Sequence, residues 1–301
     1  MKGVKCLPLK RRKSVGIYSN DYAAMPQYET SVENVGVELK LTPNVAMYIN
    51  TGNSQNQGAR PYQEDSFGYS NIIDSNVVSN KGIFAVLADG MGGLANGKSV
   101  ADYVVQTSIT MFDSINPQGN ISDQLKKIAY YINENVCKTY SADGGSSKAG
   151  ATLVLAYIFK NRIYWVTAGD SRLYCLRNGS LLQMNEDHDY KNQLYREYIA
   201  DGGSLQEIEE EPQKDSLVCF MGKNGLPYVD ASLKGYKIKP NDTFVLCSDG
   251  IYNGISEDSM KELLNNADAQ IASDSIVSQV VAARLPGQDN MTVMVIKCKG
   301  N

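Results

Sequence analysis

The run Ala151-Thr152-Leu153-Val154-Leu155-Ala156-Tyr157-Ile158-Phe159-Lys160-Asn161-Arg162-Ile163-Tyr164-Trp165-Val166-Thr167-Ala168-Gly169-Asp170-Ser171-Arg172-Leu173-Tyr174-Cys175-Leu176 decides the fold class. Its apolar, β-branched and aromatic stretches at 151–159, 163–168 and 172–176 are bounded by short polar turns, which reads as three strands. Lys160-Asn161-Arg162 has room only for a tight hairpin, and Arg177-Asn178-Gly179-Ser180 carries the Asn-Gly signal of another. Strands joined so closely cannot be parallel neighbours, so the sheet is at least partly antiparallel.

Outward from this run, strands are expected at 66–69, 82–88, 243–248 and 291–298. Ile121, Leu125, Ile128, Ile132 and Val136 recur at helical spacing. Helices are also expected over 98–112, over 256–266 with Ser256 as N-cap and Glu257-Asp258 in the first turn, and over 273–284, stopped by Leu285-Pro286-Gly287. Blocks of strands separated by helix pairs point to an α+β fold, with helices covering packed antiparallel sheets, and not to a doubly wound parallel sheet. No repeat of solenoid period is present. A polar, acidic segment at 187–216, with Glu207 and Glu209-Glu210-Glu211, interrupts the strands and reads as a flap.

The 301 residues are 43% hydrophobic and 21% charged, which excludes fibrous, low-complexity and wholly disordered chains. No apolar stretch approaches the roughly 20 residues of a membrane span. Six of the 29 basic residues fall within the first 13 positions, before any acid. The rest carries 23 basic against 33 acidic residues, a formal −10, which argues against nucleic acid as a partner and suits a protein that holds divalent cations. Residues 1–40 read as a basic N-terminal extension: a solvated tail, or alternatively a tether to an anionic surface or a kinase site at Ser14. Residues 41–301 read as a single domain. The six scattered Cys include no Cys-x-x-Cys pair and suit reduced interior residues of a cytoplasmic protein. The single His, His188, excludes most zinc hydrolases and histidine relays.

Two segments share one design: Phe84-Ala85-Val86-Leu87-Ala88-Asp89-Gly90 and Phe244-Val245-Leu246-Cys247-Ser248-Asp249-Gly250 are buried strands that end in Asp-Gly. A carboxylate there stands on a rigid element at the rim of the sheet, and the glycine lets the chain turn with its carbonyl facing the same point. Glu64-Asp65 and Asp289-Asn290 lie similarly just before strands. One Asp-Gly alone is a common turn. Four such sites, converging, require counter-charge, and oxygen donors without His or Cys select Mg²⁺ or Mn²⁺.

Six segments, in order, resemble the motifs of the metal-dependent serine/threonine protein phosphatases, the type 2C or PPM family in its bacterial form. They are Gly58-Ala59-Arg60-Pro61-Tyr62-Gln63-Glu64-Asp65, Ala88-Asp89-Gly90-Met91-Gly92-Gly93, Gly150-Ala151-Thr152, Ala168-Gly169-Asp170-Ser171-Arg172-Leu173-Tyr174, Leu246-Cys247-Ser248-Asp249-Gly250 and Gly287-Gln288-Asp289-Asn290-Met291-Thr292-Val293. The matches cover about four fifths of the chain, and six in order are very specific. The resemblance implies a four-layer α-β-β-α sandwich of two mostly antiparallel sheets with two metal ions, Mn²⁺ or Mg²⁺, in the cleft. It implies that Asp89 bridges both ions and that Gly90 lends its carbonyl to one. Asp65 would complete that ion's shell with Glu64, directly or through water, and Asp249 and Asp289 would hold the other ion. Arg60 would grip the substrate phosphate.

The implied reaction is hydrolysis of phosphoserine and phosphothreonine by a water activated between the ions, on phosphoproteins made by a serine/threonine kinase, by a monomer. Met91 stands where eukaryotic members carry a His. Ser147 and Lys148 stand where many members carry an Asp for a third ion, so a third ion is not implied here. Asp170 is expected to cap a turn and His188 to be structural. Two rivals remain: a non-catalytic phosphoprotein-binding member of the same fold, and a nucleotide hydrolase whose phosphate loop is Gly92-Gly93-Leu94-Ala95-Asn96-Gly97-Lys98-Ser99.

Overall fold

Short turns, apolar strands and helix pairs alternate along the chain as the turn chemistry predicts. The computed structural model describes residues 35–42, 45–92, 96–140, 149–201, 205–265 and 268–300. Residues 1–34 of the expected basic extension, and Ser147 and Lys148, lie outside the described residues. Strands β1 (Val35–Thr42), β2 (Val45–Asn56) and β3 (Ser66–Tyr69) come first, then helix α1 (Ser75–Lys81), β4 (Ile83–Ala88) and β5 (Gly90–Met91). Helices α2 (Asn96–Phe112) and α3 (Ile121–Tyr140) precede β6 (Gly150–Ala151), β7 (Leu153–Phe159), β8 (Arg162–Ala168), β9 (Arg172–Arg177) and β10 (Ser180–Gln183). The expected flap holds α4 (Tyr190–Asp201) and α5 (Leu205–Glu209), and β11 (Asp230–Ala231) and β12 (Tyr236–Lys237) follow. The last elements are β13 (Thr243–Cys247), α6 (Asp249–Tyr252), α7 (Glu257–Leu264), α8 (Ala269–Ala282) and β14 (Met291–Gly300).

Both hairpins form. Phe159 pairs with Arg162 across a two-residue turn in which Lys160 takes a φ of 53°. Arg177 pairs with Ser180 across Asn178 and Gly179, with φ 53° and 77°, the left-handed pair that matches strand twist. One sheet has the order β1-β2-β14-β13-β9-β10, the other β11-β8-β7-β4-β3, with β12 also on β8. Every pairing in them is antiparallel.

Strands β4, β7 and β13 are apolar and buried along their whole length because both faces are covered. From β4, Ala85 and Leu87 point inward to meet Leu246 of β13 and Met294 and Ile296 of β14 between the sheets. Phe84 and Val86 point outward onto Val104 of α2 and Leu125 and Ile132 of α3. On the other side Val245, Val293 and Val295 pack against Met260 of α7 and Ile276 and Val280 of α8. The result is a four-layer α-β-β-α sandwich. Each fully buried Leu, Ile or Val contributes about 1.5–3 kcal/mol, so the three layers of contact dominate stability.

Two expected helix starts can be compared with their caps. Ser256 caps α7 as read, its hydroxyl accepting from Ser259 N at 3.2 Å. The helix expected from 273 begins four residues earlier, because Asp268 accepts from Gln270 N and Ile271 N and so starts α8 at Ala269. Helix α1, capped by Asp74, was not visible in the periodicity. No described helix is long and apolar enough to cross a membrane.

Candidate metal centre

Strand ends of both sheets deliver the acids. Asp65 immediately precedes β3, Asp89 follows β4, Asp249 follows β13 and Asp289 stands two residues before β14. Asp65 is fully buried. Its Oδ2 accepts from Thr292 Oγ1 at 2.6 Å and Ser248 Oγ at 2.9 Å, and its Oδ1 is buried with no hydrogen-bond partner. Burial pushes this carboxyl up to about 6 against those two hydroxyls, and Asp249 and Asp289 add to the rise. The Asp65 carbonyl is pinned from behind by Lys98 Nζ at 2.9 Å and Gln55 Nε2 at 3.3 Å.

Asp89 is held through its backbone. Its N–H donates to Thr152 Oγ1 at 2.9 Å, its carbonyl accepts from Thr152 N at 2.8 Å, and Thr152 Oγ1 pairs with Ser171 Oγ at 2.8 Å. The carboxyl is free to face the cleft, where burial, then Asp65 and Asp249, push it well above the usual range. Asp249 is raised by burial and by Asp289, and Asp89 lies close enough to share a hydrogen bond with it. Its Oδ1 is also buried and unpartnered.

Glu64 enters from the same loop, with its N–H donating to Asn290 Oδ1 at 2.7 Å and its Oε1 buried without a partner. The start of α2 reaches this point only because two glycines meet there. A Cβ on Gly90 would lie 2.5 Å from Gly97 O, and one on Gly97 would lie 2.5 Å from Glu64 Oε1. Arg60 forms a 2.5 Å ion pair with Asp289 and feels Asp249 and Asp89 beyond it. Asp170, read from sequence as a turn cap, faces the same acids, and burial with Asp249 beside it pushes it up to about 7.

The donor set fits hard divalent cations. It is all oxygen, without Cys or His, and three buried carboxylate oxygens, on Glu64, Asp65 and Asp249, are left without partners. Among the described residues no three or more acidic, His or Cys side chains already close into a ligand cage. Arg60 lies on Asp289, so a guanidinium supplies part of the counter-charge that the acids call for.

The sequence profile described as Protein phosphatase 2C matches residues 62–285. The chain belongs to the protein phosphatase 2C family. Serine/threonine phosphatase stp of Listeria welshimeri is 26% identical over 241 residues, covering 79% of this chain and 91% of that protein. PstP of Mycobacterium tuberculosis is 28% identical over 211 residues, 69% of this chain and 39% of that longer protein. The structure of PppA from Pseudomonas aeruginosa superposes with a TM-score of 0.65 at 25% identity, over 83% of this chain and 97% of that one. The PstP catalytic domain, solved with two manganese ions, gives 0.64 at 22% identity, over 84% and 99%, and shares the fold.

The phosphatase therefore gathers Arg60, Glu64, Asp65, Asp89, Gly90, Asp249 and Asp289 into one neighbourhood. The hydroxyls that fix them, on Thr152, Ser171, Ser248 and Thr292, carried no spacing signal of their own. A second support lies beneath the flap. Arg172 grips Asp187 through Nε at 3.0 Å and a terminal nitrogen at 2.7 Å, donates to Tyr174 Oη at 2.9 Å, and stacks 3.5 Å over the Tyr252 ring. His188, expected to be structural, is fully buried, accepts from Gly169 N at 3.3 Å, and packs edge-on against Tyr228.

The phosphate-loop rival fails at Lys98. Its ammonium is committed to the Asp65 carbonyl, to Ser66 Oγ at 2.7 Å and to Asp102 at 2.9 Å, behind the acids and not at the head of a cradle. Gly93, Leu94 and Ala95 of that motif lie outside the described residues.

Proposed function

We propose that this protein phosphatase removes phosphate from phosphoserine and phosphothreonine in proteins, using two divalent cations, Mn²⁺ or Mg²⁺, held between the sheets. The observation that carries this reading is the set of buried, unpartnered carboxylate oxygens of Glu64, Asp65 and Asp249 around Asp89. Asp89, Asp65 and the Gly90 carbonyl, with Glu64, would hold one ion, and Asp89, Asp249 and Asp289 the other. When bound, such ions lower the pKa of water at the site and offset charge on a phosphoryl group.

The chain's own residues do the rest. Thr152 fixes the peptide of Asp89, and Ser248 and Thr292 hold Asp65 Oδ2, so that Oδ1 is aimed without rotamer freedom. Arg60 exchanges Asp289 for the substrate phosphate, which its planar fork can meet through two N–H groups. The flap at 187–216 selects the polypeptide, as a polar segment on a rigid base. The reading includes a cytoplasmic monomer that opposes a serine/threonine kinase. The two relatives named serine/threonine phosphatase, and the manganese-bound neighbour, support the substrate class and the ion.

The test is turnover of p-nitrophenyl phosphate and of phosphoserine, phosphothreonine and phosphotyrosine peptides with Mn²⁺. Activity on the first two peptides that EDTA abolishes, and that falls by about a thousandfold or more in Asp89→Asn, is expected. Peptide binding without turnover would instead favour the non-catalytic reading.

A further inference from the structure

Between β2 and β3 the chain crosses from one sheet to the other by a loop, residues 57–65, that carries Arg60, Glu64 and Asp65. Arg60, Pro61 and Tyr62 at its crest are exposed, and the loop contains no strand or helix of its own. No packed wall fixes the aim of a side chain there. A guanidinium that is to meet a phosphate through two N–H groups must nevertheless be aimed.

Part of the loop's shape is internal. Gln57 Nε2 donates to the Arg60 carbonyl at 2.7 Å, Gly58 N to Asn56 Oδ1 at 2.9 Å, and Asp65 N to Gln63 Oε1 at 3.0 Å. These bonds fold the loop on itself without seating it on the molecule. The seat is the approach to β14, residues 288–290. Ala59 N donates to the Gln288 carbonyl at 2.8 Å. Gly58, with a φ of 63°, is pressed so close that a Cβ would lie 2.3 Å from the Asp289 carbonyl oxygen.

Asn290, nearly buried, ties the loop at three further points. Its Oδ1 accepts from Glu64 N at 2.7 Å, and its Nδ2 donates to the carbonyls of Gln57 and Tyr62, both at 2.9 Å. Both amide hydrogens are thereby used, and a flipped amide would set its oxygen against two carbonyl oxygens. The two carbonyls bracket Arg60 in the chain. The backbone N–H of Asn290 donates to Asp289 Oδ1 at 2.8 Å, while Asp289 Oδ2 takes Arg60. One residue thus holds both members of the Arg60–Asp289 pair, Arg60 through its side chain and Asp289 through its main chain.

We propose that Asn290 is a positioning residue for phosphate recognition: its amide clamps the crossover loop so that Arg60 presents its guanidinium to the substrate phosphate. Asn290 acts through Arg60 and touches no substrate itself. The task given to Arg60 rests on the phosphatase reading, whereas the clamp rests on hydrogen bonds alone. An Asp at this position could not serve, since it would turn an oxygen toward the Gln57 and Tyr62 carbonyls.

The test is a double-mutant cycle on p-nitrophenyl phosphate hydrolysis at saturating Mn²⁺, with wild type, Asn290→Ala, Arg60→Ala and the double variant. Asn290→Ala is expected to lower kcat/KM by about ten- to a hundredfold, the scale of a misplaced aiming group. In the Arg60→Ala background the same change lowers it by less than about twofold, because nothing is left to aim. Equal factors in the two backgrounds, or no loss in wild type, would overturn the assignment. The clamp is also read without turnover or metal. In EDTA, the amides of Ala59 and Glu64 exchange hydrogen at least about tenfold faster in Asn290→Ala, while those of β13 keep their rates. Unchanged exchange at Ala59 and Glu64 overturns the clamp. Faster exchange there, in a protein whose wild type hydrolyses no phosphate ester, would uphold the clamp and count against the phosphatase reading instead. If Asn290→Ala does not fold, Asn290→Ser takes its place, and loss of the fold in both would overturn the assignment by marking Asn290 as structural.

Discussion

Asp65 shows how a single carboxylate is prepared. Two hydroxyls, from Ser248 and Thr292, hold one oxygen, Lys98 and Gln55 hold the backbone, and the other oxygen is left buried and bare. Thr292→Val keeps the shape of the side chain and removes one of the two donors. Groups of this kind behind a ligand are worth about ten- to a hundredfold in metal affinity. Thr292→Val is therefore expected to raise the Mn²⁺ concentration for half-maximal activity by about that factor, with little change in turnover at saturating Mn²⁺. A titration of p-nitrophenyl phosphate hydrolysis against Mn²⁺ measures it, and an unchanged midpoint would show that Ser248 suffices alone. The acids themselves were legible in the sequence because Asp-Gly at the end of an apolar run marks Asp89 and Asp249, and Asp65 and Asp289 stand just before strands. Thr152 and Thr292 stand inside the quoted motifs but have no pattern that marks them as supports of the acids, since a threonine in or beside a strand is common.

At the scale of elements, what the sequence hid is β2. Its latter half, Asn50-Thr51-Gly52-Asn53-Ser54-Gln55-Asn56, is polar and reads as loop, yet it pairs along β14 through Asn56. The polar groups are used by α8, which is more than 200 residues away. Asn50 Oδ1 accepts from Ala269 N at 2.7 Å, and Gln270 bonds both the N–H and the carbonyl of Asn53, at 3.1 and 2.7 Å. Such a partner leaves no local trace, whereas β7, β8 and β9 announce themselves through their own turns. Gly52 completes the junction, since a Cβ there would lie 2.3 Å from the Ala269 carbonyl carbon. Gly52→Ala is expected to cost about 1–3 kcal/mol, because backbone and not a flexible side chain must yield, and urea denaturation reads it directly.

The flap's base gives a pH dependence at the same scale. Buried His188 accepts from Gly169 N, which requires a neutral ring, and burial together with Arg196 lowers its pKa to about 4. The unfolded chain titrates near 6.5, so between about 6.5 and 4 it binds the proton that the fold refuses. Stability from this group is complete above about 6.5 and is lost as pH falls to about 4, on the order of 3 kcal/mol at most. The raised carboxyls slope the other way, since they lose stability as pH rises, so the comparison must be differential. Wild type minus His188→Gln, melted in EDTA from pH 7.5 to 5, should show a gap that narrows with acid. A constant gap would place the loss elsewhere.

For the whole molecule, the decisive geometry is that the acids come from two sheets. Asp65 and Asp89 flank strands of one sheet, and Asp249 and Asp289 flank strands of the other. Periodicity could show antiparallel strands and helix pairs, but not that two sheets would stack with these ends together. That followed from the order of the motifs. Since like charges face each other across the sandwich, any ion they hold joins its two halves and must bind the folded chain far better than the unfolded one. At a hundred times its dissociation constant such a ligand adds about 2.7 kcal/mol. A domain of this size shifts by about 2–4 °C per kcal/mol, so Mn²⁺ should raise the melting temperature by roughly 5–10 °C over EDTA. Asp89→Asn removes the acid that both proposed ions would share and reduces repulsion as well. That variant should melt as high as wild type, or higher, in EDTA and gain little from Mn²⁺. Calorimetry of the two proteins with and without Mn²⁺ separates the cases. Equal gains in both would mean that the cation binds outside the acid cluster and that the sheets are held together without it.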